Sequence, residues 1–457
     1  MQHHTPTEFD VIIIGAGSGN SLLTPDYDNL RVAIIEKDLF GGTCMNRGCI
    51  PTKMLVYAAD IASHIAHSSM YGIDATINSV RWPDIVDRVF GRVDTVAPAG
   101  KAYRESQDSV RVFTGEGRFV ATKVIEVNGE RITADNIVIA AGARPTLPHI
   151  DGLDAVHFHT SDSIMRLPEL PEHLIIFGGG YIATEMAHVF GSLGSRVSMV
   201  IRGGRLLARE DEAISERFTE IYNKRFDIHA HTHVERVQQH GIEITVKLKT
   251  EHHMHDLTGD ALLIAIGRTP NGDTLDLGAT GIDTDGAGYV ITDEYLRTNV
   301  PGIWALGDVT NPNQLKHVAN AETRAVAHNV IHPESLRTAD LWPIPHAVFA
   351  GPQVASVGET EQALRAADIP YITAVQRYGD VAYGWAMEDT EHFCKVIADP
   401  ITRQLLGAHI IGPQASVLIQ QLIQGMKFGQ TVDQMARGQI YIHPSLSELI
   451  ENALLQL

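Results

Sequence analysis

The chain has 457 residues, a formal net charge of −19, 44% hydrophobic residues and three cysteines. This length predicts about two to four globular domains, and the acidic balance argues against nucleic acid or an anionic membrane surface as a partner. Three cysteines are too few for a secreted scaffold that is stapled by disulfides.

The N-terminal segment MQHHTPTEFD lacks the basic region and apolar core of a secretory signal, and no apolar run is long enough to span a membrane. We therefore expect a cytoplasmic protein. His3 and His4 are given no role, because such residues also occur in expression tags.

The first predicted elements are a strand at 9–14 and a glycine-rich turn at 15–19. Glycines in such a turn let the backbone approach a pyrophosphate at a helix N-terminus. Glu36, at the end of the next strand (31–37), is placed to accept hydrogen bonds from a ribose. Asn20 stands where the fingerprint usually has its third glycine, and Pro25 shortens the helix that follows. The pattern predicts a dinucleotide site.

A cysteine pair follows in GGTCMNRGCIPTK at 41–53. Cys44 and Cys49 would form half of a metal site only if two further ligands lay nearby, and the sequence has no second cysteine pair. A reversible disulfide on the first turn of a helix fits better, since the helix dipole lowers the pKa of one thiol. Cys394 reads as a small core residue. A dinucleotide site followed by this pair predicts electron transfer from a flavin to a disulfide.

Residues 54–108 are predicted to be mostly helical, and residues 109–150 to form short strands. Two of these strands are expected to form a hairpin through the Asn128-Gly129 turn. The apolar segment at 136–145 closes this first unit.

A second unit repeats the pattern, with a strand, a glycine turn and a helix at 174–194 and the next strand with its exit at 195–207. Another strand is predicted at 242–249, and the segment at 261–270 closes the unit. The segments AAGARP and AIGRTP mark equivalent places in the two units. This duplication predicts two dinucleotide sites.

The second site differs in charge from the first. Arg202 stands where an acidic ribose ligand is expected, with Arg205 and Arg209 beyond it. A guanidinium binds a 2′-phosphate, which a carboxylate would repel. The second nucleotide is therefore predicted to be NADPH, the alternative being that these arginines are solvated loop charges.

An apolar strand at 301–308 ends in Asp308, and a helix is predicted at 317–331. The last unit lacks a nucleotide motif and is interpreted as an interface domain. It alternates strands (AVFAG, ASVG, FCKVIAD and LLGAHIIG) with helices at 415–428, 431–437 and 444–455.

His443 and Glu448 lie in IYIHPSLSELIEN. If Pro444 starts the helix, Glu448 lies one turn inside it and orients the imidazole, which then donates a proton to a leaving thiolate. An isolated His–Glu residue pair is more often structural, and the presence of the cysteine pair favours the catalytic interpretation. Lys53 and Glu185 adjoin glycine turns and are predicted to form an ion pair beside a flavin.

These motifs together resemble the pyridine nucleotide–disulfide oxidoreductase family: GAGSG, GGTCMNRGCIPTK, GGGYIATE, AIGRTPN, ALGD and HPSLSE follow in family order and spacing. The resemblance implies an α/β fold with two Rossmann-like FAD/NAD(P)-binding domains and a C-terminal α+β dimerisation domain. The implied division is an FAD domain at 1–150, an NADPH domain at 151–271, a central segment that completes the FAD domain at 272–341, and a dimerisation domain at 342–457.

The resemblance also implies the cofactors FAD and NADPH and a homodimer in which His443 serves the opposite subunit. The expected catalytic residues are Cys44, Cys49, His443, Glu448, Lys53 and Glu185. The expected cofactor-binding residues are Gly15, Gly17, Ser18, Gly19, Glu36, Gly42, Thr43, Lys53, Gly142, Asp308, Gly178, Gly180, Tyr181, Ile182, Glu185, Arg202, Arg205, Arg209 and Gly267. Family members often carry a second arginine where this chain has Ala208, so Arg205 and Arg209 remain alternatives.

In the implied reaction, NADPH reduces the flavin and the flavin reduces the disulfide. Cys49 then faces the flavin and Cys44 attacks a small-molecule disulfide. Runs such as KMLVYAADIA and YGDVAYGWAMEDT resemble the member that reduces mycothiol disulfide. The alternatives are an enzyme similar to dihydrolipoamide dehydrogenase or glutathione reductase, and a non-catalytic flavin-binding redox sensor.

Overall fold

The computed structural model of the protein describes residues 5–457, so His3 and His4 lie outside the described residues. The chain forms two compact units. The first unit comprises the residues through Thr52 together with Val86–Thr146 and Arg268–Leu341. The second comprises Lys53–Ile85, Leu147–Gly267 and Trp342–Leu457.

The strands are, in chain order, β1 (Thr7–Ile14), β2 (Val32–Glu36), β3 (Val110–Thr114), β4 (Gly117–Ala121), β5 (Val124–Val127), β6 (Glu130–Ile139), β7 (Ala143–Pro145), β8 (His173–Phe177), β9 (Arg196–Val200), β10 (Asp227–His229), β11 (His233–His240), β12 (Glu243–Lys249), β13 (Met254–Gly259), β14 (Ala261–Ile264), β15 (Arg268–Pro270), β16 (Ile303–Ala305), β17 (Pro345–Val348), β18 (Val354–Gly358), β19 (Ile372–Arg377), β20 (Phe393–Ala398) and β21 (Leu405–Ile411).

The α-helices are α1 (Gly42–Asn46), α2 (Cys49–Ala66), α3 (Trp82–Glu105), α4 (Tyr181–Ser192), α5 (Glu212–Arg225), α6 (Lys316–Ile331), α7 (Glu361–Ala366), α8 (Ala382–Ala386), α9 (Ala415–Lys427), α10 (Val432–Arg437) and α11 (Ser447–Leu455).

The main sheet of the first unit has the strand order β3-β2-β1-β6-β5-β4, with β16 also paired to β6. Strands β3, β2, β1, β6 and β16 run parallel, whereas β5 and β4 add an antiparallel edge. Ile12 and Ile13 point to opposite faces of β1 and both are fully buried. Both faces of the sheet are therefore covered, as its continuous apolar sequence predicts.

The second unit contains a parallel sheet of order β10-β9-β8-β14 and an antiparallel meander, β11-β12-β13. The glycine turn after β8 leads directly into α4, so this unit has the complete strand–turn–helix pattern. The same unit also contains the antiparallel sheet β17-β18-β21-β20-β19. Leu422 of α9 and Leu449 of α11 are fully buried in the core cluster that includes residues of this sheet.

Most predicted elements are confirmed, with small shifts at their ends. The hairpin joins β5 to β6, and both turn residues adopt the positive φ that this turn requires, 52° at Asn128 and 79° at Gly129. The two closing segments pair with each other as the antiparallel strands β7 and β15.

Several details differ from the sequence expectation, and short elements such as α7, α8 and β19 were not predicted. The first glycine turn is followed by a 3₁₀ turn, Gly19–Leu22, and not by an α-helix. The last helix begins at Ser447, so Pro444 lies before the helix and does not start it. Helix α5 was not predicted, although Asp211 caps it and its buried positions have helical spacing. The four-domain division remains a prediction.

Candidate active site

The two glycine turns have the same backbone geometry at their first glycine. Gly15 has a φ of +104°, and a Cβ atom there would lie 2.3 Å from the carbonyl oxygen of Ala140. Gly178 has a φ of +125°, and its Cβ would lie 2.2 Å from the carbonyl oxygen of Ala265. Only glycine fits such positions. The duplication seen in the sequence is therefore also present in the local structure of each unit.

The first turn explains its own departure from the fingerprint. A Cβ on Gly19 would lie 2.8 Å from Ile13 and 2.9 Å from Ala140, so Gly19 provides the close packing. Asn20 is free to hold Arg104, whose Nε donates to Asn20 Oδ1 at 2.7 Å and whose Nη2 donates to the Asn20 carbonyl at 2.8 Å. The buried guanidinium of Arg104 therefore stabilises the turn, a role that the following α-helix has in the usual fingerprint.

Glu36 ends β2 beside this turn. Its Oε2 accepts a hydrogen bond from the Ala16 backbone at 2.8 Å, and its Oε1 accepts one from the Asp38 backbone at 2.9 Å. An acidic group at the end of the second strand, next to a glycine cradle free of side chains, fits the ribose and pyrophosphate of FAD. The residues of the first unit thus satisfy the requirements of that cofactor.

The cysteine segment packs against the same turn. The Gly41 backbone donates to the Ala16 carbonyl at 3.0 Å, and a Cβ on Gly42 would lie 2.7 Å from Gly17 Cα. Gly42, Thr43 and Cys44 form the start of α1, and Cys49 is the first residue of α2. The glycines at 17 and 42 therefore allow the segment that carries Cys44 to lie directly on the dinucleotide loop.

The two thiols have different environments. Cys44 is half-buried and Cys49 is exposed. The pKa of Cys44 is raised above its ordinary value, first because its thiol is hydrogen-bonded to Cys49 and then because of burial, whereas Lys316 acts in the opposite direction. With both residues as thiols, Cys44 therefore holds its proton and needs a base before it can attack a disulfide. Within residues 5–457, no cluster of three or more His, Cys, Asp or Glu is arranged to bind a metal.

Asp308 lies in a 3₁₀ turn, Gly307–Val309, immediately after β16. Burial raises the pKa of its carboxyl, although Arg268 and Lys316 lower it. Behind it, the buried Glu322 accepts hydrogen bonds from the Gly307 backbone at 2.6 Å and from Asn311 Nδ2 at 2.9 Å. Burial raises the pKa of Glu322 to about 7. Glu322 thus braces the turn that presents Asp308.

Lys53 and Glu185 lie together in the second unit. Lys53 Nζ donates to both carboxylate oxygens of Glu185, at 2.8 and 2.9 Å, and lies 4.7 Å from the ring centre of Phe349. Glu185 is buried in α4 and also accepts a hydrogen bond from the Phe349 backbone at 2.8 Å. Lys53 follows Cys49 by one turn of α2. The ion pair is therefore held by α2, α4 and the segment that follows β17.

His443 and Glu448 also lie together. His443 Nδ1 donates to Glu448 Oε1 at 2.7 Å, while the Ser445 backbone donates to Oε2 at 3.2 Å. His443 is 71% exposed, so its Nε2 faces outward. The hydrogen bond to His443 lowers the pKa of Glu448, which therefore stays ionised at neutral pH.

The second glycine turn leads into α4, with Gly180 at the N-cap and Tyr181 and Ile182 in the first turn. Arg202 and Arg209 are exposed. Arg205 donates to Glu216 at 2.8 Å and to Glu212 at 3.0 Å. Arg205 is therefore already engaged by two carboxylates.

Gly142 and Gly267, the glycines of the two closing segments, have φ values of +68° and +137°. Sequence reasoning missed Lys316 and Glu322, both on α6. A lysine in the first turn of a helix opposes the helix macrodipole. This unfavourable position was the sequence signal that could have identified Lys316. The burial of Glu322 had no comparable signal.

A family model described as pyridine nucleotide-disulphide oxidoreductase matches residues 9–325. The dimerisation domain of the same family matches residues 344–454. The chain belongs to the pyridine nucleotide-disulphide oxidoreductase family.

Individual relatives agree with this assignment. Mycothione reductase of Mycobacterium tuberculosis is 48% identical to this chain over 459 residues, which cover 98% of the chain and 99% of the relative. Mercuric reductase of Streptomyces lividans is 34% identical over 96% of the chain and 93% of the relative. The solved structure of the HOCl-induced flavoprotein disulfide reductase RclA from Escherichia coli has a TM-score of 0.86 and 30% identity, covering 98% of this chain and 99% of that one.

The predicted fold class and enzyme class are confirmed by these matches. The protein is a flavoprotein disulfide oxidoreductase, and its cofactors are FAD and NADPH. Among residues 5–457, no helix has the length and apolarity that crossing a bilayer requires.

Proposed function

We propose that this enzyme reduces mycothiol disulfide to mycothiol with electrons from NADPH. The observation that carries the proposal is the 48% identity to mycothione reductase, which extends over 98% of the chain. Reduction by NADPH requires a reducing compartment, so we expect the enzyme to act in the cytoplasm.

Bound FAD supplies the electron transfer between NADPH and the Cys44–Cys49 disulfide. The residues proposed to hold it are those of the first glycine turn, with Glu36 and Asp308. Lys53 and Glu185 are proposed to face its reactive ring, since a half-buried ammonium fixed by two short hydrogen bonds is a preorganised charge. Tyr181, exposed in the first turn of α4, is proposed to lie over the nicotinamide site.

Cys44 is proposed to attack one sulfur of the substrate disulfide, which forms a mixed disulfide and releases the first thiol. Cys49 then attacks the sulfur of Cys44, which restores the enzyme disulfide and releases the second thiol. The hydrogen bond to Cys49 keeps Cys44 protonated, so the attack begins with proton removal.

His443 is proposed to take that proton and then to give it to the departing thiolate, with Glu448 holding its ring. The outward-facing imidazole fits a role in the active site of a second subunit. The proposed assembly is a homodimer in which two chains complete each site, and the dimerisation-domain match at 344–454 supports it.

The preference for mycothiol disulfide follows from charge. Residues 19–30 carry no lysine or arginine, and the chain has a net charge of −19. Glutathione disulfide bears four carboxylates, which such a surface repels, whereas mycothiol disulfide has none. The polar and aromatic run at 378–390 is proposed to contact the sugar and inositol groups.

The test is NADPH oxidation by the purified holoenzyme against mycothiol disulfide, glutathione disulfide and lipoamide. We expect kcat/KM for mycothiol disulfide to exceed that for glutathione disulfide by about a hundredfold or more, because like charges oppose the binding of the latter, and we expect little activity with lipoamide. Equal values for glutathione disulfide would refute the substrate and leave the enzyme class intact. Failure of every disulfide, with NADPH still bleaching the flavin, would favour the redox-sensor alternative.

A further inference from the structure

Lys316 stands in an unfavourable local position. It is the first residue of α6, where a cation opposes the positive end of the helix macrodipole, and the first turn of α6 contains no acidic residue. The residue is also half-buried, which costs part of the solvation of its ammonium. Two unfavourable effects at one residue imply a compensating negative charge elsewhere in the fold.

The Lys316 ammonium is fixed against the dinucleotide loop. Its Nζ donates to Ser18 Oγ at 2.8 Å. The cysteine segment rests on the same loop through the 3.0 Å hydrogen bond from Gly41 to Ala16 and the contact of Gly42 with Gly17. The loop therefore positions the ammonium and the cysteine segment relative to each other.

Three acidic groups interact electrostatically with the ammonium: the thiols of Cys44 and Cys49 and the carboxyl group of Asp308. Burial lowers the pKa of Lys316, while Cys44, Cys49 and Asp308 raise it. The positive charge of Arg268 lowers the pKa of Asp308. Glu322 interacts electrostatically with Asp308, and Arg47, which lies between the two cysteines in the chain, is paired with Asp38.

We propose that Lys316 is a positioning residue whose ammonium stabilises the thiolate of the reduced Cys44–Cys49 pair. The inference rests on the proposed function, in which this pair is the redox disulfide. Reduction of a disulfide by two electrons with uptake of one proton leaves one thiolate and one thiol. The ammonium neutralises the thiolate, and so increases the fraction of the pair that is anionic at neutral pH.

The experiment measures thiolate formation directly and does not depend on turnover. The holoenzyme is reduced with dithiothreitol, desalted without oxygen and alkylated with iodoacetamide over a range of pH. Each alkylation consumes a thiolate and releases iodide, so its rate reports the anionic fraction. Trypsin places the three cysteines in separate peptides, 38–47 for Cys44, 48–53 for Cys49 and 378–395 for the buried Cys394, which is the internal reference.

Lys316→Met removes the charge and keeps an unbranched side chain. We expect it to raise the pH midpoint of alkylation of the pair by about one unit, so that the rate at neutral pH falls about tenfold. Lys316→Arg keeps the charge and should restore the wild-type midpoint. The matched control is Lys101→Met, which removes a partly exposed lysine of the same unit that pairs with Glu105 on α3.

An unchanged midpoint in Lys316→Met would overturn the proposal. Lys316→Gln, which can still donate to Ser18, gives the same test if the methionine variant does not fold. A loss of FAD with an unchanged midpoint would also overturn it, because Lys316 would then serve Asp308. If dithiothreitol exposes the cysteines to iodoacetamide but NADPH does not, the proposed function fails and the result on Lys316 stands.

Discussion

Cys44 and Cys49 show how strongly the position of a residue in the fold affects its burial and its pKa. Cys44 is half-buried and its pKa is raised by the hydrogen bond to Cys49, whereas Cys49 is exposed at the start of α2. Two identical side chains five positions apart are thus unequal before any substrate binds. Their roles in the proposed reaction come from the family resemblance, because exposure alone would favour Cys49 as the attacking thiol.

Cys44→Ser should lower kcat for disulfide reduction by at least about a hundredfold, because the hydroxyl cannot perform thiol–disulfide exchange. Reduction of the flavin by NADPH in stopped flow should persist. Cys394→Ala is the control, since that thiol is fully buried in the core and should not affect turnover. Normal turnover in Cys44→Ser would disprove the assignment.

The coenzyme prediction concerns three arginines in one segment. Arg202→Ala should reduce kcat/KM for NADPH by about tenfold and leave the value for NADH unchanged, because only NADPH carries the 2′-phosphate. Arg209→Ala should act in the same direction. Arg205→Ala is the matched control and should have a smaller effect, since Glu212 and Glu216 already hold that side chain. Equal losses with NADH and NADPH would show that Arg202 has another role.

At the scale of elements, a buried ion pair joins α5 to β20. Lys395 Nζ donates to both oxygens of Asp211, at 2.8 and 2.9 Å, and contacts Glu361 at 2.6 Å. Asp211 is fully buried and also caps α5 through the Ala213 backbone. Burial alone would raise the pKa of Asp211, yet its pKa is lowered, with the hydrogen bond from Lys395 as the main opposing cause.

Lys395→Met should lower the free energy of unfolding by about 3 kcal/mol at pH 7, because it leaves a buried carboxylate without its partner. Since the folded pKa of Asp211 is depressed, the stabilisation is present above its ordinary pKa and is lost as the pH falls. The deficit of the variant should therefore shrink in acid. Urea denaturation at several pH values measures this.

Two further variants make that result interpretable. Lys249→Met breaks an exposed pair with Glu235 in the same unit and should cost less than about 1 kcal/mol. Lys395→Met combined with Asp211→Asn should recover part of the loss, because the fully buried side chain at position 211 then carries no charge. Equal stability of the Lys395 and Lys249 variants would contradict the prediction.

At the scale of the whole molecule, the proposed dimer has a decisive test. His443→Gln keeps a hydrogen-bonding group but cannot act as an acid, and it should lower turnover by about a hundredfold. Co-expression with Cys44→Ser under separate tags yields a mixed dimer. If each site takes Cys44 from one chain and His443 from the other, the mixed dimer has one intact site and about half of wild-type activity.

The two parent homodimers are the controls, and both should be nearly inactive. A mixed dimer as inactive as its parents would place His443 and Cys44 of one chain in the same site. Cys394→Ala paired with wild type, made with the same tags, checks that purification of mixed dimers preserves activity.

The sequence by itself determined the periodic elements and the local motifs. Some features depend on only a few neighbouring residues, so the sequence predicts them. Examples are the apolar run at 9–14, the glycines at positions with a positive φ, and the Asn128-Gly129 turn. The cysteine segment and the segment around His443 were found for the same reason. The family followed from their order and spacing.

Tertiary structure alone decided which distant residues meet. Lys316 lies 267 positions after Cys49 in the chain, and no local pattern links it to the cysteines. The sequence also did not predict the hydrogen bond from Arg104 to Asn20 or those from Arg205 to Glu212 and Glu216. Local conformation is set by steric rules within a few residues, whereas charge environment and burial depend on how the whole chain packs.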